Sequence, residues 1–136
     1  ALIRRFDEAV EHEAPELTVW GTGTPRREFL HVDDLADACL HLLRCYDEAT
    51  AINVGSGSDV TIAELARSIA RISGFQGELL FDTTKPDGTP RKLLDITRLA
   101  ATGWQPRITL EAGLADTLAW YRTHANALSA DGRYAA

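Results

Sequence analysis

Residues 20–34 (WGTGTPRREFLHVDD) constrain the fold of this chain more than any other stretch. A glycine-rich turn separates two short apolar segments, and the second segment runs directly into a helical pattern. Gly21 and Gly23 permit positive φ or a close approach of a ligand to the backbone. Arg26 and Arg27 follow on the second segment and offer planar guanidinium groups that match phosphate or carboxylate oxygens. The stretch therefore predicts a turn that presents an anion site ahead of a helix.

A second cationic stretch lies at residues 85–95 (KPDGTPRKLLD), where Lys85, Arg91 and Lys92 surround two prolines and a glycine. Two cationic loops in one small chain indicate a doubly charged ligand such as a pyrophosphate. The alternative for any single cluster is ordinary solvated surface, since exposed charges are common on proteins.

Length and composition narrow the class of protein. A chain of 136 residues that is 45% hydrophobic fits one compact domain or part of one. Its net charge of −6 argues against nonspecific binding to nucleic acid or to an anionic membrane, because both need a broad basic surface. Cys39 and Cys45 do not indicate a disulfide framework, and no apolar run approaches a membrane span, so a cytoplasmic setting is expected.

Short apolar strands alternate with amphipathic helices, which predicts an α/β arrangement. The strands are predicted at residues 16–20, 27–31, 51–54 and 78–81, with the first two paired as a hairpin across the glycine turn. The opening helix has neither a cap nor an initiator methionine, which indicates that the chain begins inside a larger protein.

Helix boundaries are marked by capping residues. Thr61 and Glu64 form a capping box, and Gly74 ends the helix that follows it. Asp33 is predicted to cap the helix before it, and Asp95 and Thr109 to cap the last two. The Asp33-capped helix carries an apolar stripe that is expected to be buried, formed by Leu35, Ala36, Cys39, Leu40 and Leu43.

The residues of a complete oxidoreductase site are not found in this sequence. Neither Gly21-x-Gly23 nor Gly55-x-Gly57 has the third glycine of a dinucleotide fingerprint, so both are interpreted as turns. No tyrosine is followed four residues later by lysine, and the four histidines lack the spacing of metal ligands. We therefore expect no catalytic, cofactor-binding or metal-binding residue here. The adjacent Asp33 and Asp34 are interpreted as helix N-terminal residues rather than a catalytic carboxylate pair.

Three segments together resemble the C-terminal portion of the GDP-L-fucose synthase family, whose members are extended short-chain dehydrogenases/reductases. They read WGTGTPRREFLHVDDLADA, INVGSGSDVTIAELA and KPDGTPRKLLDITRLAATGW. The resemblance implies an α/β fold that corresponds to the C-terminal substrate-binding part of a Rossmann-like enzyme, with the N-terminal Rossmann core lying outside this chain. Residues 1–126 would form that part, and residues 127–136 a flexible tail.

The resemblance also implies a function. The family uses NADPH to convert GDP-4-keto-6-deoxymannose to GDP-L-fucose by 3,5-epimerisation and 4-reduction, without a metal. Its NADP site and catalytic residues would lie upstream of this chain, so the isolated chain is expected to bind no NADPH and to be inactive. Its partners would be a GDP-sugar and the N-terminal Rossmann portion, and not nucleic acid or membrane. The full-length protein would be a homodimer.

Five residues match positions that the family uses to contact the GDP-sugar: Arg5, Trp20, Arg27, Asp87 and, more weakly, Lys92. Arg5 and Arg27 would bind the diphosphate, since bidentate bonds to phosphate are charge-assisted. Trp20 would wall the sugar or ribose, with strand-end packing as the alternative role. Asp87 would accept hydrogen bonds from hydroxyl or amino groups, whereas Arg26 is expected to face solvent.

Two other functions fit the same residues. The chain could be the equivalent part of another nucleotide-sugar epimerase or dehydratase, because the REFLHVDD segment is shared broadly among these enzymes. It could also be a noncatalytic interaction module that docks through its apolar faces.

Overall fold

The computed structural model describes residues 2–130, with side chains described to residue 124. Helices and strands alternate along most of this part, as the apolar patterns predicted. The helices are α1 (Leu2–Glu11), α2 (Val32–Cys45), α3 (Ile62–Ser73), α4 (Thr97–Ala101) and α5 (Leu110–Ala130). The strands are β1 (Glu16–Trp20), β2 (Arg26–Glu28), β3 (Asp59–Thr61), β4 (Glu78–Asp82) and β5 (Arg91–Lys92).

The strands form two small sheets. β1 pairs in parallel with β4, whereas β2 lies between β3, which is antiparallel to it, and β5, which is parallel. The predicted hairpin of residues 16–20 with 27–31 is therefore wrong. Gly21 takes φ of 83° and donates its N–H to the Asp82 carbonyl oxygen at 2.9 Å, so the chain continues along β4 before it turns away. The strand predicted at 51–54 is also wrong, because no sheet pairing forms there.

The larger core lies where α1 and α3 pack against the β1–β4 sheet. Phe6 is fully buried, and its ring meets Phe75 edge to face at a centroid distance of 5.6 Å. Leu17 and Val19 point inward from β1, which gives this strand the alternating burial of a one-sided sheet. Because Trp20 and Gly21 follow directly, this core fixes where the first glycine turn begins.

A smaller core joins α2 to the segment around α4. Ala38, Leu99 and Trp104 are buried together, and the Trp104 indole N–H donates to the Asp37 carboxylate at 2.9 Å. The stripe predicted to be buried on α2 faces the other way. Leu35, Cys39, Leu40 and Leu43 are exposed, so that prediction is wrong for the described part of the chain.

Most predicted helix boundaries are confirmed. Thr61 and Glu64 form the reciprocal capping box of α3, and Gly74 ends that helix with φ of 84°. Thr109 accepts the Ala112 N–H at the start of α5. The predicted cap of α2 is wrong, since His31 occupies that position and its Nδ1 accepts the Asp33 N–H. The predicted cap of α4 is also wrong, since Ile96 occupies that position and makes no side-chain cap bond. Asp95 lies one residue earlier and accepts the Thr97 N–H.

The C-terminal end of α5 includes the first four positions of the predicted tail, since residues 127–130 are helical. The rest of that tail, residues 131–136, lies outside the described residues. Within the described part, no helix has the length and apolar character needed to cross a membrane. The same residues contain no group of three or more side chains suited to hold a metal ion.

Candidate functional site

The central strand β2 divides the predicted cationic residues between two faces. Successive side chains on a strand point to opposite faces, so Arg26 and Glu28 share one face and Arg27 occupies the other. The register partners of Arg27 are Val60 on β3 and Lys92 on β5. Sheet pairing therefore places Lys92 beside Arg27, although the two residues are far apart in sequence.

Trp20 lies at the end of β1 and is 70% exposed. The Lys85 Nζ lies 5.8 Å from the centroid of its ring, a cation–π geometry. Such exposure does not fit a strand-end packing role and favours a contact surface. The pair brings the start of the 85–95 loop next to the first glycine turn.

Asp87 fastens that loop to the turn. Its Oδ1 accepts the Thr22 backbone N–H at 2.8 Å, and its Oδ2 accepts the Thr22 hydroxyl at 2.7 Å. A Cβ at position 21 would lie only 2.3 Å from Oδ1, so glycine is needed there. Both carboxylate oxygens of Asp87 thus serve the protein itself, and contact with a ligand by Asp87 remains a prediction.

The guanidinium of Arg27 lies over the same loop. Its Nη1 donates to the Arg26 carbonyl oxygen at 2.7 Å, and a Cβ at position 88 would approach Nη2 to 3.1 Å. No ion pair with a carboxylate is found for Arg27 among the described residues. Its positive charge is therefore half-buried and uncompensated there, which suits an anionic ligand.

Four of the five predicted site residues are thus linked through one loop: Trp20, Arg27, Asp87 and Lys92. No hydrogen bond or ion pair joins Arg5 to them among the described residues. It lies on α1, and its Nη2 donates to the carbonyl oxygen of Thr18 at 2.6 Å, two residues before Trp20 on β1. The bond anchors the side chain against the strand that carries Trp20, and a diphosphate contact by Arg5 remains a prediction.

The second glycine pair forms a turn around an internal carboxylate. Glu28 Oε1 accepts the Gly57 N–H at 2.6 Å and the Ser56 hydroxyl at 3.3 Å, and Oε2 accepts the Leu94 N–H at 3.0 Å. A glycine turn that already holds a carboxylate does not offer its N–H groups to a phosphate. The interpretation of residues 55–57 as a turn is confirmed, and the role of Glu28 was missed.

On the Arg26 face, a charged cluster locks the three strands together. Asp59 accepts from Arg26 Nε at 2.8 Å and from Arg91 Nε, and its side chain is only 5% exposed. Arg26 was predicted to face solvent; its side chain is 41% exposed, and its charge is also paired with Asp59. Hydrogen bonds from Arg91 and then Arg26 lower the pKa of Asp59, although burial acts in the opposite direction.

The Asp59 cluster predicts acid sensitivity. Because the folded pKa of Asp59 lies below its ordinary value near 3.8, its stabilising contribution is complete above that value and is lost as pH falls through the folded pKa. The free energy of unfolding of Asp59→Asn should therefore fall short of the parent at pH 6, with the gap closing toward pH 2. Urea titrations across this range measure it. Glu48→Gln, an exposed carboxyl change, is the control. A pH-independent gap for Asp59→Asn would contradict the prediction.

Asp34 has a positioning role that sequence reasoning missed. Its carboxylate is 3% exposed and accepts the backbone N–H groups of Arg107, at 3.1 and 3.2 Å, and of Ile108, at 2.9 Å. The predicted helix N-terminal position is confirmed, since Asp34 lies in the first turn of α2. Its partners lie 73 and 74 residues away, and no local pattern indicates them.

A cavity of about 240 Å³ opens on the Arg27 side of β2. It lies between that strand, residues 56–58 and the segment that leads into α5. Arg27 and Arg107 are its two cationic lining residues, and none of its lining residues carries a carboxylate. A second cavity of about 510 Å³ lies beside α2 and includes Asp37 and Arg44 in its lining.

Residues 1–55 match the NAD dependent epimerase/dehydratase family. The predicted resemblance to extended short-chain dehydrogenases/reductases is therefore confirmed. The chain is 57% identical to putative GDP-L-fucose synthase 2 of Arabidopsis thaliana over 121 residues, which cover 89% of this chain and 37% of that relative. It is 53% identical to the GDP-L-fucose synthase of Escherichia coli (strain K12) over 130 residues, which cover 89% of this chain and 40% of that relative.

Among solved structures, the chain resembles a GDP-mannoheptose C4 reductase from Campylobacter jejuni with NADP bound. The TM-score is 0.78 and the identity 34%, with 89% of this chain and 43% of that chain covered. The α/β fold of the epimerase/dehydratase type is confirmed. The chain spans about two fifths of the length of the curated relatives it matches.

Proposed function

We propose that this chain is the C-terminal, GDP-sugar-binding portion of an NADPH-dependent enzyme that makes GDP-L-fucose from GDP-4-keto-6-deoxymannose. The observation that carries the proposal is the assembly of Trp20, Lys85 and Arg27 around one loop, in a chain more than half identical to GDP-L-fucose synthases. The loop belongs to the KPDGTPRKLLD stretch, which is part of one of the three segments that carry the resemblance to GDP-L-fucose synthases.

The chemistry of the loop fits a sugar diphosphate. The uncompensated guanidinium of Arg27 suits a phosphate oxygen, and Lys92 adds a second positive charge in the adjacent register position. The exposed Trp20 ring offers a flat apolar wall for a sugar or ribose. In this arrangement the chain binds and orients the ligand. Hydride transfer from NADPH and proton transfer belong to residues of the enzyme outside this chain.

The outer face of α2 supports a partner on that side. Val32, Leu35, Leu40 and Leu43 are exposed along one helix, and an apolar surface of this kind is normally covered. We propose that the NADP-binding portion of the same enzyme covers it, since the chain accounts for only about two fifths of its relatives. The alternative of an interaction module rested on apolar faces that dock to a partner. An α2 face covered by another part of the same enzyme accounts for those apolar residues equally well.

Binding of GDP tests the proposal. A ligand specific for the folded chain raises its melting temperature, so GDP should do so more than UDP or dTDP at equal concentration. Arg27→Ala should weaken GDP binding about 10- to 100-fold, because a hydrogen bond to a charged group contributes about 1.5–3 kcal/mol. Thermal unfolding with each nucleotide measures the first effect, and calorimetric titration of GDP measures the second.

Arg67→Ala is the matched control, because it removes an exposed arginine from α3 away from this loop. It should leave GDP affinity unchanged. A stronger response to UDP or dTDP would favour the equivalent part of another nucleotide-sugar enzyme. Absence of any nucleotide binding would contradict the proposal and favour the interaction module.

A further inference from the structure

The cavity on the Arg27 side of β2 has the charge and lining of a phosphate subsite. Its polar lining consists of two arginines and three hydroxyl residues, and the rest is apolar. The residues are Arg27, Arg107, Ser56, Ser58 and Thr109, with Phe29, Val60, Pro106, Ile108 and Leu110. Two cations without a lining carboxylate create a positive potential that favours an anion.

Arg107 is held at the backbone and left free at the side chain. The buried Asp34 carboxylate binds its N–H and that of Ile108, which fixes the segment at the rim of the cavity. Its side chain is exposed, and within the described residues no hydrogen bond or ion pair engages the guanidinium. The fixed backbone lowers the entropic cost of contacting a ligand, and the unengaged guanidinium keeps its N–H donors available.

The size of the cavity sets what it can hold. At about 240 Å³ it is smaller than the roughly 300–1,000 Å³ typical of whole-ligand pockets. It therefore fits a phosphate with its adjoining sugar rather than a complete nucleotide sugar. Arg27 both lines this cavity and lies over Gly88 of the 85–95 loop, so one ligand can extend from the loop past Arg27 into the cavity.

We infer that Arg107 is a second cationic contact for the phosphate-bearing portion of the ligand that Arg27 binds. The inference rests on the proposed function and extends it to a residue of the segment before α5. Arg107 also borders the larger cavity beside α2, where the Asp37 carboxylate offsets part of the positive charge of Arg44 and Arg107; the cavity beside Arg27 has no such carboxylate in its lining.

Calorimetric titrations with GDP, and with guanosine as the uncharged probe, test the inference. Arg107→Ala should weaken GDP binding about 10-fold or more and leave guanosine binding unchanged, because the lost contact is to phosphate. Arg107→Lys should recover part of the GDP affinity, since lysine keeps the positive charge but lacks the planar guanidinium that can make two hydrogen bonds to one phosphate. Arg44→Ala is the control, as Arg44 lines only the larger cavity. It should change GDP affinity less than twofold.

Three results would overturn the inference while leaving the proposed function intact: unchanged GDP affinity in Arg107→Ala, an equal loss in Arg44→Ala, or an equal loss of guanosine binding. Each would be accompanied by weakened GDP binding in Arg27→Ala. If the unsubstituted chain binds no GDP, the inference and the proposed function fall together.

Discussion

Replacing Asp34 by alanine is expected to destabilise the chain by about 3 kcal/mol, through the loss of two charge-assisted hydrogen bonds. The carboxylate is almost fully buried and accepts the backbone N–H groups of Arg107 and Ile108. Alanine leaves both donors without their acceptor, and a buried unpaired donor carries the full cost of its lost hydration. Since small domains are stable by only about 5–15 kcal/mol, this is a large fraction of the total.

Asp33→Ala is the matched control for this prediction. Asp33 precedes Asp34 in the first turn of α2 but is 77% exposed, so its replacement removes a similar helix-dipole interaction without a buried acceptor. Urea unfolding should show a loss below about 1 kcal/mol for Asp33→Ala. Equal losses in the two variants would show that the helix dipole, rather than the bonds to residues 107 and 108, accounts for the role of Asp34.

Local sequence rules predicted both ends of α3 correctly. The capping box of Thr61 and Glu64 and the left-handed Gly74 involve residues within one helix, so the pattern contains all the information needed. Strand pairing is different, because the two partners are distant in sequence. β1 begins at Glu16, and its partner β4 begins 62 residues later, at Glu78. A glycine turn between two apolar segments is compatible with either a hairpin or two separate sheets. The Gly21 N–H donates to the Asp82 carbonyl oxygen, which extends the pairing of β1 with β4 and leaves β2 in a separate sheet.

The apolar stripe of α2 shows a limit of periodicity. The spacing of Leu35, Cys39, Leu40 and Leu43 correctly marks a helix with an apolar face. Periodicity cannot say whether the partner of that face lies in the same stretch of chain. The helix instead buries Ala38 and Asp34, a small and an acidic residue that a hydrophobic pattern does not select.

For the candidate site, the family resemblance predicted which residues belong to it. Only the structure shows which side chains and backbone groups surround them. Trp20, Arg27, Asp87 and Lys92 do lie around one loop, although they come from three separate segments, β1, β2 and the 85–95 loop. The acidic residues that hold the surrounding turns and strands were not predicted, since each acts on a partner distant in sequence. Glu28 fills the second glycine turn, and Asp59 pairs with both Arg26 and Arg91. The spacing of residues along the sequence does not reveal a carboxylate whose hydrogen-bond partners lie far away in the chain.

Gly23→Ala is the second change with a large expected effect, about 3 kcal/mol of destabilisation from two separate causes. Gly23 has φ of 75°, a left-handed conformation that costs a residue with a Cβ about 1–2 kcal/mol. A Cβ there would also lie 2.5 Å from Cε1 of Phe81 and 3.0 Å from Cβ of Ala63. Overpacking of this kind adds about 1–3 kcal/mol.

Gly74→Ala separates the two causes. Gly74 has φ of 84°, but a Cβ at that position would meet nothing within 4 Å, so this variant should lose only about 1 kcal/mol. Urea unfolding of both variants measures the difference. Gly23 also lies in the turn between Trp20 and Arg27, so its substitution should weaken GDP binding, whereas Gly74→Ala should not. Equal destabilisation of the two variants would show that the Phe81 ring moves aside freely, and unchanged GDP affinity in Gly23→Ala would show that the turn does not set the position of the ligand site.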